Sequence, residues 1–434
     1  MGFNRSSAVS ELLGLDDFVV TDRLWELGQW TLWVDHEVLG PVGCPACGAK
    51  AWRHDRRRHV VRDLPISGVA VRLIWNKVLW RCPDPDCLVG GFADSSPEIV
   101  ERAVLTERAR THIARQVGPG GQSVAALAAE FGVSWHTAMD AVTDHARART
   151  DHVTALGAPR AIGLDETAFL TARADRPTQF VTHIVNLDTG ATIDVIEGRS
   201  KAAVVTWLAS KPDVWKAGIA HVVIDPHQPY ASAVREQLPK AKLVVDHFHI
   251  IRLANRALDE VRRRVQQDTT GHRGHKADPL YRVRRRMLCA YENLTPEGFD
   301  RVLAWLDRGD PAGEVAAAYM AKELLRRVYE STDPMAARRR LVEFYEHVAD
   351  AEIDELTTLA TTIERWEPEL LRWHLTGLSN GVVEGTNLLV KNTKRSGFGF
   401  RNFQNYRHRV LLRAGHRWKT PTAPSLHPAP TAVA

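Results

Sequence analysis

The chain has 434 residues, 44% of them hydrophobic and 25% charged, and a formal net charge of +5. That length allows about three domains and buries enough surface that disulfide staples are unnecessary, which excludes disorder, collagen-like repeats and coiled-coil arrays as whole-chain descriptions. No apolar run reaches the ~18 residues of a membrane span, and the N-terminus lacks the basic-then-apolar order of a secretory leader, so a cytoplasmic protein with no membrane partner is expected.

The charge is unevenly distributed. Residues 252–288 hold eleven Lys and Arg against four acids, and from residue 385 onward there are nine Lys and Arg with no Asp or Glu. Such clustering points to a polyanionic partner, although a charge run is also the ordinary look of a solvated face.

Residues 1–100 carry two cysteine pairs, Cys44-Pro-Ala-Cys47 and Cys82-Pro-Asp-Pro-Asp-Cys87. Four thiolates in two tight pairs suit a tetrahedral structural zinc ion (Zn2+), and Gly48 permits the tight turn after the first pair. The long stretch between the pairs reads as an extended hairpin, because Val69, Val71, Leu73 and Trp75 alternate along one strand face. A disulfide or four free thiols is the competing reading, and the fifth cysteine, Cys289, is expected to be a small core residue.

Residues 101–155 read as short helices. Ser123 caps an alanine-rich helix, Phe131-Gly132-Val133 makes a turn, and Ser134 caps a second helix from Trp135, which is the pattern of a helix-turn-helix. Trp135, His136 and Thr137 would then start the recognition helix, with an ordinary helical hairpin as the alternative.

Residues 156–250 alternate strand and helix patterns. Strands are expected at 161–166, 179–187, 192–197, 221–225 and 242–246, with a turn at Asp188-Thr189-Gly190 and helices at 201–208 and 230–238. The predicted fold class is therefore α/β, with acidic residues at strand C-termini, where open sheets commonly place their sites. Asp165 is expected to end the first strand and Asp225 a later one, while Glu166 points to the opposite face. Residues 251–375 read as a helical insertion, and 376–418 as the completion of the core. A Pro/Ala/Thr-rich tail, 419–434, is expected to be disordered.

After Asn380-Gly381, a helix carries Glu384, Asn387, Lys391, Lys394 and Arg395 on one face. Any one of Asp165, Asp225 and Glu384 taken singly reads more readily as a cap or turn residue, but three separated acids suit two magnesium ions in phosphodiester transfer.

Ile162-Gly163-Leu164-Asp165-Glu166, Val223-Ile224-Asp225 with Tyr230, and Val244-Val245-Asp246-His247-Phe248-His249 resemble consecutive motifs of an insertion-sequence transposase. So does the block from Ser379-Asn380-Gly381 through Glu384-Gly385-Thr386-Asn387 to Gly397-Phe398-Gly399-Phe400-Arg401-Asn402-Phe403. The family is the ISL-three family of DDE transposases, and the resemblance covers nearly the whole chain to about residue 418. It implies an RNase H-like core interrupted by a helical insertion and preceded by a zinc-binding β domain and a helix-turn-helix. The catalytic acids it implies are Asp165, Asp225 and Glu384, holding Mg2+ or Mn2+, with Asn387, Lys391, Lys394, Arg395 and Arg401 on DNA. The implied activity is binding of terminal inverted repeats with DNA cleavage and strand transfer by a dimer or larger assembly. A catalytically silent DNA-binding regulator descended from such an enzyme is the alternative. Pro226-His227-Gln228-Pro229 departs from the family pattern, and His227, Asp246 and His249 are left without an assigned role.

Overall fold

In the computed structural model, which describes residues 10–15, 17–37, 40–155 and 157–415, the two cysteine pairs are joined by the expected hairpin. The tail expected at 419–434 lies outside the described residues. The chain divides into two units: one holds the residues up to Ala155, a short piece at Thr192–Asp194 and the stretch from Leu388, and the other holds the remainder.

In the first unit, strands β1 (Phe18–Glu26), β2 (Gln29–His36), β3 (Trp52–Ile66), β4 (Val69–Arg81) and β5 (Gly91–Ala93) form one sheet, ordered β1-β2-β4-β3 with β5 on β4. Ser67 and Gly68, with φ of 52° and 78°, turn the β3–β4 hairpin, as a two-residue loop matching the strand twist requires. Val71, Leu73 and Trp75 fill the sheet's buried face at period two, and Phe18 meets the Trp75 ring edge-on at 5.2 Å. Helices α1 (Glu107–Val117), α2 (Val124–Phe131) and α3 (Trp135–Ala155) follow. Ser123 accepts from the Ala126 amide at 3.1 Å and Ser134 from that of Thr137 at 3.0 Å, while Gly132 turns the chain in the left-handed region.

Asp63 ties this sheet to the helices. It is 1% exposed, accepts from the Thr106 hydroxyl at 2.7 Å and is clamped by Arg108, whose guanidinium also reaches the carbonyls of Leu13 and Gly14.

A second sheet holds β6 (Ala161–Leu170), β7 (Gln179–Asn186), β8 (Thr192–Glu197), β9 (His221–Ile224) and β10 (Lys242–Val245), ordered β10-β9-β6-β7-β8, and apart from Thr192–Asp194 its residues belong to the second unit. Helices α4 (Lys201–Ala209), α5 (Asp213–Ala217) and α6 (Gln228–Gln237) connect these strands. β6 pairs antiparallel with β7 and parallel with β9, and β9 pairs parallel with β10.

β6 runs four residues past Glu166, so Asp165 sits inside the strand rather than at its end. The reason is that β7 keeps pairing to Leu170 while β9 stops at Leu164. Among the described residues, the first seven α-helices after β10 run from α7 (His247–Thr270) through α8 (Pro279–Met287), α9 (Pro296–Gly309), α10 (Glu314–Val328), α11 (Pro334–Ala351) and α12 (Asp354–Arg365) to α13 (Glu367–Thr376).

Cys289 is exposed, contrary to the expectation of a core residue. It follows α8, whose buried face is Leu280, Val283 and Met287, and it falls off that stripe.

Helix α14 spans Gly381–Ser396 and α15 spans Phe403–Ala414. The expectation that 376–418 completes the core differs from the structure for α15. Its Leu412 belongs to the hydrophobic core of α1–α3, with Gly118 allowing close approach to Leu412 Cβ. The apolar residues Tyr406, Val410, Leu411 and Leu412 give α15 a face to bury, and sequence periodicity alone does not say against what. Among the described residues, no helix is long and apolar enough to cross a membrane.

Candidate functional site

The knuckle at Cys44–Gly48 closes by a bond from the Gly48 amide to the Cys44 carbonyl at 2.9 Å, with Gly48 at φ 75°. The hairpin returns Cys82 to Cys47, at 3.4 Å between sulfurs, and Cys87 lies 3.7 Å from Cys44. All four Sγ atoms fall within 4.8 Å of one another. Tetrahedral zinc with bonds of about 2.3 Å needs sulfurs about 3.8 Å apart, so the quartet has the size and donor set of a structural zinc site. The amides of Cys47 and Ala46 draw the Cys44 thiol down to about 7, while burial pushes the Cys82 thiol up to about 12.

The acids of the second unit come together through sheet register. Leu164 pairs with Ile224, and Ile224 with Val245, so Asp165, Asp225 and Asp246 each follow the last residue of the parallel ladders joining three adjacent strands, although β6 goes on pairing with β7. Burial, and then the neighbouring Asp225 charge, push the Asp165 carboxyl up to about 6 against the pull of the Glu166 amide and Asn387.

His249, one turn into α7, faces both other acids. Its Nε2 lies 2.7 Å from Asp225 Oδ2 and its Nδ1 lies 3.1 Å from Asp246 Oδ2. Burial alone would lower its pKa, but these two carboxylates hold it up to about 9, so the ring is an imidazolium. Arg252, one turn further on, stands 3.8 Å from Asp225. Glu166 points to the other face of β6, as alternation requires, and pairs with Arg199 at 3.1 Å. His227 sits edge-on to Tyr230 with 4.4 Å between ring centroids.

Helix α14, which carries Glu384, docks beside these acids through two asparagines. Asn380 precedes it: its amide N–H donates to Asp246 Oδ1 at 2.9 Å and its Nδ2 donates to Asp225 Oδ1 at 3.1 Å. Asn387 Nδ2 donates to Asp165 Oδ2. Glu384 lies four residues after the first asparagine and three before the second, on the same helix face and exposed. Gly163 permits this docking, because a Cβ there would lie 2.5 Å from Val383 Cγ2 and 3.2 Å from Asn380 Oδ1.

The side-chain oxygens of Asn380 and Asn387 are buried without a hydrogen-bond partner. Amide and carboxylate oxygens are the hard donor type that a divalent cation such as Mg2+ prefers.

Trp135 and His136 are exposed at the start of α3, and Thr137 shares a 2.9 Å hydrogen bond with Ser134. Lys391, Arg395 and Arg401 are exposed, and Lys394 is half-buried. Asn387 differs from its expected place on the DNA side: it is 7% exposed and turned inward to Asp165. Gly163 and the inward turn of Asn380 were not singled out from sequence. The only signal was the spacing of two asparagines around Glu384.

Three family models match this chain. One described as "Transposase", the DDE domain of ISL3 elements, matches residues 162–410. One described as "zinc-finger of transposase IS204/IS1001/IS1096/IS1165" matches 40–87, and a "Helix-turn-helix domain of transposase family ISL3" matches 95–146. Transposases for insertion sequence element IS1557 from two Mycobacterium tuberculosis strains are 30% identical over 292 residues, covering 62% of this chain. The match spans 63% of those relatives' length. A transposase for IS1001 from Bordetella parapertussis is 25% identical over 368 residues, covering 83% of this chain and 85% of that one.

Proposed function

Because the chain belongs to the ISL3 family of transposases, we propose that it binds the terminal inverted repeats of its own insertion sequence and catalyses metal-dependent DNA cleavage and strand transfer. The helix-turn-helix and the zinc ribbon would carry end recognition, with Trp135, His136 and Thr137 presented at the start of α3. The strand order β8-β7-β6-β9-β10, three strands with a hairpin flanked by two parallel ones, supports an RNase H-like reading of the core.

The observation that carries the catalytic reading is the pair of asparagines around Glu384. Asn380 bonds Asp225 and Asn387 bonds Asp165, so the helix bearing the third acid is fastened to both strands bearing the other two. Asp165, Asp225 and Glu384 would hold two divalent ions, Mg2+ or Mn2+. When bound, such ions activate a hydroxyl nucleophile and stabilise the leaving oxygen of a phosphodiester.

The protein's own groups set the stage for this. The asparagine amides and His249 orient the carboxylates, and a bound cation would offset the burial and the neighbouring Asp225 charge that together raise Asp165. Lys391, Lys394 and Arg395 continue along α14 as phosphate contacts, with Arg401 just beyond it. Joining two element ends requires at least a dimer on DNA, and the working compartment is the cytoplasm.

The test is cleavage and joining of a donor plasmid carrying the element's ends, by the wild type and Glu384→Gln, with and without Mg2+. Metal-dependent cutting and joining, lost in the variant while end binding persists, is the expected result. Equal activity of the two proteins would overturn the assignment.

A further inference from the structure

The helical insertion contains a cavity of about 330 Å³ lined by Arg262, Arg263, Arg273, Arg284 and Arg285, with Asp259 and Tyr281 beside them. Five guanidiniums face one carboxylate there. Asp259, Arg262 and Arg263 share one face of α7 at i, i+3 and i+4, and Tyr281, Arg284 and Arg285 repeat that spacing on α8. Two cationic helix faces therefore converge, and the loop between the helices adds Arg273.

The base of the cavity is fixed. Arg262 is 4% exposed, donates to Asp259 Oδ1 at 2.6 and 2.9 Å and to Gln266 Oε1 at 2.9 Å. Gln266 in turn donates to Asp278 at 3.2 Å, and Asp278 accepts from the His275 amide. Gly274, at φ 110°, packs directly on Gln266, where any side chain would collide, so the Arg273 loop is held down on the helix. Arg263 shares Asp259 at 2.5 Å, and the Arg284 guanidinium stacks 3.6 Å above the Tyr281 ring.

Asp259 is thus already saturated by two arginines. The Arg273 and Arg285 side chains are exposed, and their guanidinium groups have no hydrogen-bond or ion-pair partner among the described residues. Convergent like charges on a rigid base, with two free planar forks at the rim, make a built anion site, and guanidinium forks match phosphate oxygens bidentately.

We propose that this cavity seats a backbone phosphate of duplex DNA, giving the protein a contact outside both the helix-turn-helix and the acid cluster. The inference rests on the transposase reading above. A phosphodiester satisfies the forks without sequence information, so the site anchors DNA and does not read it.

The test uses the full-length protein and a duplex of random sequence, with affinity followed against salt. Arg273→Gln and Arg285→Gln are each expected to flatten the log–log salt slope by about one, the signature of one lost phosphate contact. Arg339→Gln, an equal charge change at an exposed site on α11, is expected to leave the slope nearly unaltered. Melting temperatures of all three variants should match the wild type, because none of these side chains is buried.

Pocket variants with the wild-type slope, or one no flatter than that of Arg339→Gln, overturn the site and leave the transposase reading standing. A wild type with no duplex affinity at any salt overturns both. Inorganic pyrophosphate is the second probe: if it binds the wild type, is lost in the pocket variants, and the DNA slope stays unchanged, the cavity takes a free polyphosphate and the DNA assignment falls.

Discussion

His249 Nε2 lies 2.7 Å from Asp225 Oδ2 and is held there as an imidazolium, because its other ring nitrogen faces Asp246. A cation thus occupies the acid cluster before any metal arrives. The proton on His249 gives Asp225 and Asp246 a shared counter-charge. Removing the ring should expose how much of that compensation the protein supplies by itself.

His249→Gln is expected to lose about 1.5–3 kcal/mol in metal-free protein, the usual worth of a hydrogen bond to a charged group. The loss should shrink in Mg2+, which neutralises the same acids. The pH dependence has a definite sign. His249 is raised from 6.5 to about 9 in the folded chain, so its contribution is fully present below about 6.5 and disappears as pH rises through 9. Urea midpoints of wild type and variant should therefore converge at pH 10 and stand apart at pH 6. A constant gap across that range would rule the charged ring out.

Gly163 decides how closely α14 approaches β6. In Gly163→Ala the new methyl would press on Val383, which is fully buried, and on the Asn380 side chain. Overpacking of this kind costs about 1–3 kcal/mol. The sharper consequence is positional: moving α14 outward breaks the hydrogen bonds that the Asn380 and Asn387 side-chain amides donate to Asp225 and Asp165. Strand cleavage should fall by about two orders of magnitude, as misplacement of catalytic groups by ~1 Å commonly does, while binding to element ends stays within about twofold. Parallel loss of binding and cleavage would mean that the variant had simply unfolded.

The parts of this site that sequence exposed are those whose chemistry is local. Two cysteine pairs declare a metal knuckle by type and spacing, and apolar runs ending in Asp declare strands with acids near their ends. Parallel register then brings Asp165 and Asp225 together with no further information.

What sequence did not disclose depends on how elements dock. Asn387 shares a helix face with Lys391, and only the packing of α14 on β6 shows that this face turns inward at Asn387. Gly163 is one small residue in an apolar strand until Val383 is seen above it. Helix α15 has an evident apolar stripe, but the stripe does not name Leu412's partners on α1–α3.

Metal removal should act on the ribbon alone. Stripping zinc leaves four thiols whose mutual packing, at 3.4 and 3.7 Å, depends on a shared cation. Structural zinc in finger peptides contributes about 10–16 kcal/mol, which exceeds what the short strand β5 and the Cys44–Gly48 knuckle supply. Chelation, or Cys82→Ser, is expected to open residues 40–95 to protease and hydrogen exchange while β6–β10 keep their protection. Because Cys82 is pushed up to about 12 and Cys44 down to about 7, zinc uptake at pH 7 must release protons, and affinity should fall as pH drops. Unaltered protection after complete zinc removal would defeat the structural assignment.

The Asp63–Arg108 clamp sets the last prediction. Asp63 is buried at the foot of β3, and among the described residues its carboxylate meets only the Thr106 hydroxyl and the Arg108 guanidinium. Arg108→Ala leaves that carboxylate buried and short of its counter-charge, a change that costs about 3–5 kcal/mol. It also frees the Leu13 and Gly14 carbonyls that Arg108 binds at 2.7 Å. Thermal unfolding of the isolated N-terminal residues is not needed: hydrogen exchange on the whole chain should show β3 and α1 opening earlier than in the wild type. Asp63→Asn, which removes the buried charge but keeps an acceptor for Thr106, is expected to lose less than Arg108→Ala. The order of the two variants is the diagnostic, because a loss driven by the stranded carboxylate ranks Arg108→Ala as the worse, whereas simple loss of packing contacts does not separate them.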